Sequence, residues 1–459
     1  MKKIKYIMYV IIAVSLSSCE KFLTVDPVNA VSDLTPIHDK GSSETALRGV
    51  YRQLGAAGYY GETYVTLGYF PSGDITNLTT GGGANLVNVN YRTDEVLFNT
   101  AWTAIYDVIN RANHVIAKVP TVQDPLLTQA LKDKYVGEAK FIRALAYFDL
   151  ARAWGGVQLF LEPTTSIEDR PQIKRSSLDD TYNQVLNDLI DAENLLPDEV
   201  NRIRATKRTV WALRARLHLY RGQWEQAEEY ATKLIEKTAD YTLLRPYSAW
   251  FANNVVGTRE SIFELEFSAL NPSAIRSQMQ HPTNGGTYRY APNDRFVQLL
   301  NDPNIGGGRS ALIKSVTQSG TTIWFGNLYY RLPATDPAYI FRIAEMYLIR
   351  AEAKAQRDNL SVFDGALADL NEVRDRAGLL PSAAVTKSDV LLAIEEERRY
   401  EFAFEAHRWF DLARTGRAKA VLEALDPNTV VSDHEYVFPI PVAQLQLDPN
   451  LEKDQNKGY

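Results

Sequence analysis

The run Ile394-Glu-Glu-Glu-Arg-Arg-Tyr-Glu-Phe-Ala-Phe-Glu-Ala-His-Arg-Trp-Phe-Asp-Leu-Ala-Arg-Thr-Gly416 decides how the rest of the chain is read. It holds no proline, and its only glycine is the last residue. Ser388 is a candidate N-cap, and Gly416 suits the left-handed residue that ends a helix. The spacing therefore predicts one continuous helix, about 35 Å long at roughly 1.5 Å per residue. Ile394, Phe402, Trp409 and Leu412 recur at helical spacing. Phe404 and Phe410 fall on other sides of the wheel, so protein must cover more than one face. Several acid–base pairs lie three or four residues apart, where they can meet on a helix.

Residues 397–416 closely resemble the ERRxEFxFExHRWFDLxRTG signature of the SusD/RagB family. A second stretch, GEAKFIRALAYFDLARAWG at 137–155, is also family-like, and the end of the chain from Asp448 to Tyr459 is similar to the family's NPxLxQNPGY ending. The resemblance is strongest at 136–156, 204–220, 340–416 and 437–459. It implies an outer-membrane lipoprotein of the kind by which Bacteroidetes capture nutrients for a TonB-dependent transporter, built on four helix pairs. The spacing by itself shows only a long, buried, charge-laced helix.

Toward the N-terminus, Lys2, Lys3 and Lys5 precede an apolar core of 11 residues, 6–16. That core is shorter than the roughly 20 residues a membrane-spanning helix needs, so 1–18 read as a signal peptide. Leu16-Ser17-Ser18-Cys19 resembles a lipobox, and Cys19 is the only cysteine. Cys19 is the expected lipidation site, with 19–35 as an extended tether whose acyl chains hold the protein on a membrane. Without a second thiol no intramolecular disulfide can form, so stability must come from packing. The net charge of -6 and pI near 5.7 argue against a nucleic-acid partner, which would need a basic surface.

Helical patterns follow at 43–54, 102–119, 131–154 and 178–196, the last two separated by a polar loop. Residues 206–237 carry Trp211, Ala215, Gly222, Trp224, Ala227, Ala231 and Leu234 at the spacing of a tetratricopeptide helix–turn–helix, with Arg214 and His218 departing from it. A weaker copy runs from Tyr347 and Ala351 through Ala366 and Leu370 to Val373. Helix is predicted at 340–357 and 363–377, a short strand at 260–267, and extended chain at 436–441. Two irregular stretches, 59–94 and 244–339, interrupt the helices and concentrate aromatics among Gly, Asn and Thr. Long loops of this kind are functional or disordered. The expected fold is mostly α: tetratricopeptide-like helix pairs with a loop-rich irregular part and a few short strands. Regions 36–240 and 241–459 are expected to pack as one globular unit.

Candidate chemistry is sparse. Glu395, Glu396, Glu397, Glu401, Glu405, His407 and Asp411 invite comparison with a glycosidase, which needs two acids flanking a bond. Each acid is within helical reach of an arginine, and paired carboxylates stay ionised instead of acting as general acids. No catalytic residue is assigned. His38, His114, His218, His281, His407 and His434 are scattered, without His-Glu-x-x-His. The Asp302-x-Asn304-x-Gly306 run has Ile313 where a calcium loop needs a bidentate Glu. Gly81-Gly82-Gly83 lacks the Lys-Ser/Thr of a phosphate loop. No metal or cofactor is expected.

The aromatics carry the functional expectation. A sugar ring has an apolar face that stacks on Trp or Tyr, and hydroxyls that need polar partners. Trp324, Tyr290 and Tyr91 are the candidate platforms, and Asp74, Asn77 and Arg92 the candidate hydrogen-bonding residues. The resemblance implies a surface glycan-binding lipoprotein that delivers its ligand to a SusC-like barrel. A peptide-binding RagB-like protein and a surface glycosidase are the alternatives.

Overall fold

The computed structural model describes residues 37–79, 83–165, 173–253 and 255–459. The signal peptide, Cys19, the tether to residue 35 and Gly81-Gly82 lie outside them. Helix accounts for 53% and strand for 7%, so the fold is mostly α, as expected.

Eight helices make the scaffold: α1 (Lys40–Leu54), α2 (Val96–Lys118), α3 (Gln129–Trp154), α4 (Leu178–Leu195), α5 (Lys207–Tyr220), α6 (Trp224–Ile235), α7 (Ile343–Gln356) and α8 (Ala366–Arg376). Each packs on the next, so the stack runs through the chain without a gap. Side-chain caps set several N-termini: Asp39 on α1, Thr128 on α3 and Ser177 on α4. Glu95 caps α2 and starts it six residues before Trp102, the expected beginning. From Gly137 to Trp154 all but Lys140 on α3 are buried, as a helix between two neighbours must be. Its alanines let α2 and α4 approach closely.

The predicted helix–turn–helix is the α5–α6 pair, turned at Gly222 with φ +65°. Its two departures from the tetratricopeptide pattern have local partners. Arg214 lies 4.1 Å from the Tyr230 ring centre and bonds Glu193, while His218 stacks on Tyr230 and bonds Gln223. The weaker copy is the α7–α8 pair. Helix α7 begins at Ile343 and not at 340, because 338–342 is strand.

Among the described residues six short strands form three antiparallel pairs. Strand β1 (Ile75–Asn77) pairs with β3 (Tyr290–Pro292), β2 (Ser261–Leu265) with β6 (Ala338–Arg342), and β4 (Ile313–Gln318) with β5 (Thr321–Gly326). All five β2 residues are buried, Glu264 among them, against the alternation the sequence suggests, since β2 lies inside the protein.

The signature run is not one helix. Helix α9 (Lys387–Glu401) stops at Phe402, Phe404 turns to φ +67°, and α10 (Arg408–Arg414) restarts after His407. The N-cap is Thr386, in a capping box with Asp389, and not Ser388. Gly416 does take the left-handed conformation, at φ +68°. The break is imposed from outside. The Glu401 carbonyl accepts from Arg342 Nη2 at 2.9 Å, and the short helix Thr63–Tyr69 presses Gly68 onto Ala406. A Cβ on Gly68 would lie 2.5 Å from the Ala406 Cα.

Around this break sits a buried ionic cluster. Arg342 reaches Glu260 at 3.0 Å, Glu401 at 2.9 Å and Glu405 at 2.6 Å. Arg376 binds Glu260 at 2.6 Å and also Glu401, and Arg309 joins Glu397 at 2.5 Å to Glu401 at 2.9 Å. Trp250 covers the Arg342 guanidinium at 4.1 Å. Burial pushes the Glu401 carboxyl up, but Arg376, Arg309 and Arg342 outweigh it and hold the value down to about 2. Burial raises Glu44 too, and Tyr135, Arg48 and Arg204 bring it to about 2.

An acid-stability prediction follows from the sign of these shifts. Carboxyls depressed below their unfolded range, about 4.3, contribute stability that is full above it and lost as pH falls toward 2. Burial pushes Glu405 the other way, to about 7, despite Arg342. Its contribution is lost on raising the pH and is constant below about 4.3. Denaturant midpoints should therefore fall between pH 4.5 and 2.5. A flat midpoint over that window would contradict the assignment.

Candidate functional site

The acids of the signature run are ion-paired with arginines, and His407 is buried with its ring 4.5 Å from Phe402. Asp411 bonds Arg398 at 2.8 Å and Arg414 at 3.0 Å, and Arg417 reaches Glu395 at 3.0 Å. Burial, and then Arg216 and Arg398, hold His407 well below the usual histidine range, so its imidazole is neutral. Among the described residues no group of three or more His, Cys, Asp or Glu is placed to hold a metal. Asp302 accepts from the Asn304 backbone N–H at 2.8 Å, which closes a turn.

The β1–β3 pairing brings three of the six candidate binding residues together, with Asn77 opposite Tyr290 and Asp74 just before β1. Asp74 is buried and takes both carboxylate oxygens to Arg399, with Arg295 at 3.6 Å. It anchors β1 to α9. The Asn77 side-chain oxygen accepts from the Thr79 backbone at 2.9 Å and so shapes the turn after β1. Tyr290 is buried with its ring 4.2 Å from Phe70. Tyr91 is buried too, packed edge-on against Phe98, Trp409 and Phe438. Neither ring offers a face to the outside, which corrects the expectation that both are exposed platforms. The physical reason is packing: each ring closes a gap between a loop and the helices. Arg92 is exposed and forks onto Asp94 at 2.9 and 2.8 Å.

Trp324 has the exposed setting that the others lack. It lies half-buried on β5, opposite Ser315 of β4, and Thr317 pairs with Thr322 on the same face. Ser315, Thr317 and Thr322 are exposed, so one large flat ring stands among three hydroxyls. Ser319 and Gly320, at φ +50° and +79°, make the tight turn of this hairpin. A Ser-Gly pair between alternating residues signals such a turn, and the sequence reading above missed it. It also passed over Tyr288 as a site residue. Tyr288 is half-buried, at φ +47°, and its hydroxyl donates to the Trp324 carbonyl at 2.8 Å, which braces β5 against the segment entering β3.

Residues 329–459 match a family described as the SusD family, and residues 73–219 match one described as starch-binding, associating with outer membrane. A SusD-like protein of Formosa agariphila is 26% identical, with both chains covered in full. The starch-binding protein SusD of Bacteroides thetaiotaomicron is also 26% identical, over 72% of this chain and 74% of that one. Among solved structures, a laminarin-binding SusD-like protein superposes with a TM-score of 0.75 at 24% identity, covering 92% of this chain and 100% of its own. Matches on both sides of the loop-rich middle, and relatives aligned from end to end, make this chain a SusD-like member of the SusD/RagB family.

Proposed function

We propose that the protein binds a glycan at the outer-membrane surface and passes it to a SusC-like TonB-dependent transporter, with no reaction of its own. The single observation that carries the binding role is Trp324, a half-exposed ring on a hairpin face that also carries three exposed hydroxyls. An aromatic ring takes the apolar face of a sugar, and neighbouring hydroxyls exchange hydrogen bonds with its substituents. A starch-binding relative and a laminarin-binding neighbour support the same class of ligand. Asn77, opposite Tyr290 on the β1–β3 pair, and the exposed Arg92 are the polar partners in this reading. Asp74 and Tyr290 anchor and pack the β1–β3 pair, and Tyr91 packs its own loop against Phe98, Trp409 and Phe438.

The lipid on Cys19 supplies the membrane attachment in this reading. No described helix is long and apolar enough to cross a bilayer. The ion-paired state of the signature acids supports a binding role over a glycosidase.

Titration calorimetry of the chain from Glu20 onward, against neutral and acidic polysaccharides, oligosaccharides and short peptides, tests the proposal. Saturable heat with one glycan class is expected, and Trp324→Ala should weaken it about tenfold, or about 1.4 kcal/mol. Heat with peptides alone would move the protein to the RagB-like reading. Release of reducing ends would make it an enzyme.

A further inference from the structure

A small cavity lies where the chain entering β1 meets the break between α9 and α10. Ser72, Asp74, Arg399, Phe402, Phe404 and Arg408 line it. It encloses about 10 Å³, about the volume of one water-sized sphere, so it has room for a monatomic ion or a water and nothing larger.

Its polar lining is rich in donors and short of free acceptors. Arg408 is buried, and none of its guanidinium nitrogens makes a hydrogen bond. The nearest carboxylates are Glu395, 3.6 Å from Nη1, and Glu396, 3.7 Å from Nη2, both too far for a hydrogen bond. Each is engaged elsewhere at shorter range. Glu395 meets Arg417 at 3.0 Å, and Glu396 meets Arg399 at 3.2 Å and the Tyr400 hydroxyl at 3.0 Å. Asp74, the carboxylate in the cavity wall, takes two bonds from Arg399. Ser72 accepts from the Asp74 backbone N–H at 3.1 Å, which leaves the serine proton to donate.

The charges around the cavity form a closed set. Among the described residues Arg295, Arg399, Arg408 and Arg417 make ion pairs only with Asp74, Glu395 and Glu396, and those acids pair with no other cation. Four cations against three carboxylates leave one positive charge over. Arg295, Arg417 and Glu396 reach the rim, while Arg399, Arg408 and Asp74 are buried at the centre. Arg408 is the member without a hydrogen-bonded partner, and a buried guanidinium with idle donors carries a desolvation cost that an acceptor in contact with it removes. The surplus charge calls for an anion, the volume for a monatomic one, and the N–H and O–H lining for an acceptor with no protons of its own. We propose that the cavity is a halide site, filled by chloride, which pairs with Arg408 and ties the entry to β1 to the α9–α10 break. It does not depend on the glycan-binding reading.

Scanning calorimetry of the chain from Glu20 onward, with chloride replacing gluconate at constant ionic strength, tests the proposal. The melting temperature should rise by at least about 2 °C and then saturate, because a ligand held only by the folded state stabilises it. Ser72→Ala removes one donor from the cavity and leaves every ion pair in place, and it should lose most of that rise. Crystals soaked in sodium bromide should show an anomalous peak against the Arg408 guanidinium and the Ser72 hydroxyl. No rise, a rise that never saturates, or an equal rise in Ser72→Ala would reduce the effect to general salt action and overturn the site. A crystal structure with a water in the cavity and no bromide, or with Arg408 closed directly onto Glu395 or Glu396, would overturn it as well.

Discussion

Arg342→Met is expected to destabilise the protein by about 3–5 kcal/mol, because it leaves a buried carboxylate without a counter-charge. The three acids around Arg342 are affected unequally. Glu260 keeps Arg376, and Glu401 keeps both Arg376 and Arg309. Among the described residues Glu405 has Arg342 as its only ion-pair partner, through two hydrogen bonds at 2.6 and 3.1 Å. Measured above pH 7, where Glu405 is ionised beside Arg342, the variant must let Glu405 take up a proton or open the core to water. Replacing it as well, in Arg342→Met with Glu405→Gln, should therefore return part of the loss, and the double-mutant cycle should show coupling above 0.5 kcal/mol in favour of the wild-type pair. Guanidinium denaturation followed by tryptophan emission reads the result, since Trp250 lies against the guanidinium. A single variant with an unchanged midpoint would mean that the cluster contributes nothing net.

Asp149→Leu should cost a similar amount, again about 3–5 kcal/mol, but with the damage directed at the loops. The Asp149 carboxylate is fully buried and accepts from Tyr59 and Tyr60, each at 2.7 Å, and from Arg152 Nε at 3.0 Å. Leucine fills the space and deletes the acceptor, leaving two phenols and one guanidinium to find partners in an apolar interior. Arg152 would retain Tyr64 at 2.8 Å and the faces of Phe410 and Tyr64. Hydrogen exchange should show faster exchange across 59–69, with α3 itself far less affected. Unchanged protection at 59–69 would show that the short helix Thr63–Tyr69 is held by packing alone.

The readable parts of this fold were those whose pattern is local. Helix α3 announces itself through alanines and aromatics on every side, and the α5–α6 pair through small residues at fixed spacing around Gly222. The left-handed end at Gly416 follows from residue type. The break between α9 and α10 has no such local cause, since neither proline nor glycine interrupts 394–415. It comes from Arg342 on β6 and Gly68 on a short helix, both remote in sequence, and tertiary contacts of this kind override propensity. The charge pairing was anticipated from helix spacing, yet the main partners of Glu401 are Arg309, Arg342 and Arg376, none of them on its own helix. Site residues were harder for a different reason. Tyr91, Tyr290 and Trp324 look alike as aromatics in polar loops, and only packing distinguishes two rings sealed against phenylalanines from one left half-open on a hairpin.

The ties that hold the two ends of the sequence together also constrain how the protein comes into being. Asp74 is matched by Arg399, 325 residues later, Trp154 donates to the Pro439 carbonyl, and Gln158 to Asp448. A polypeptide delivered N-terminus first exposes the acids and aromatics of its leading half long before their counterparts arrive. Such distant pairings slow folding and leave sticky intermediates. These pairings form only once the last segment is present, so closing the fold is a late step of assembly.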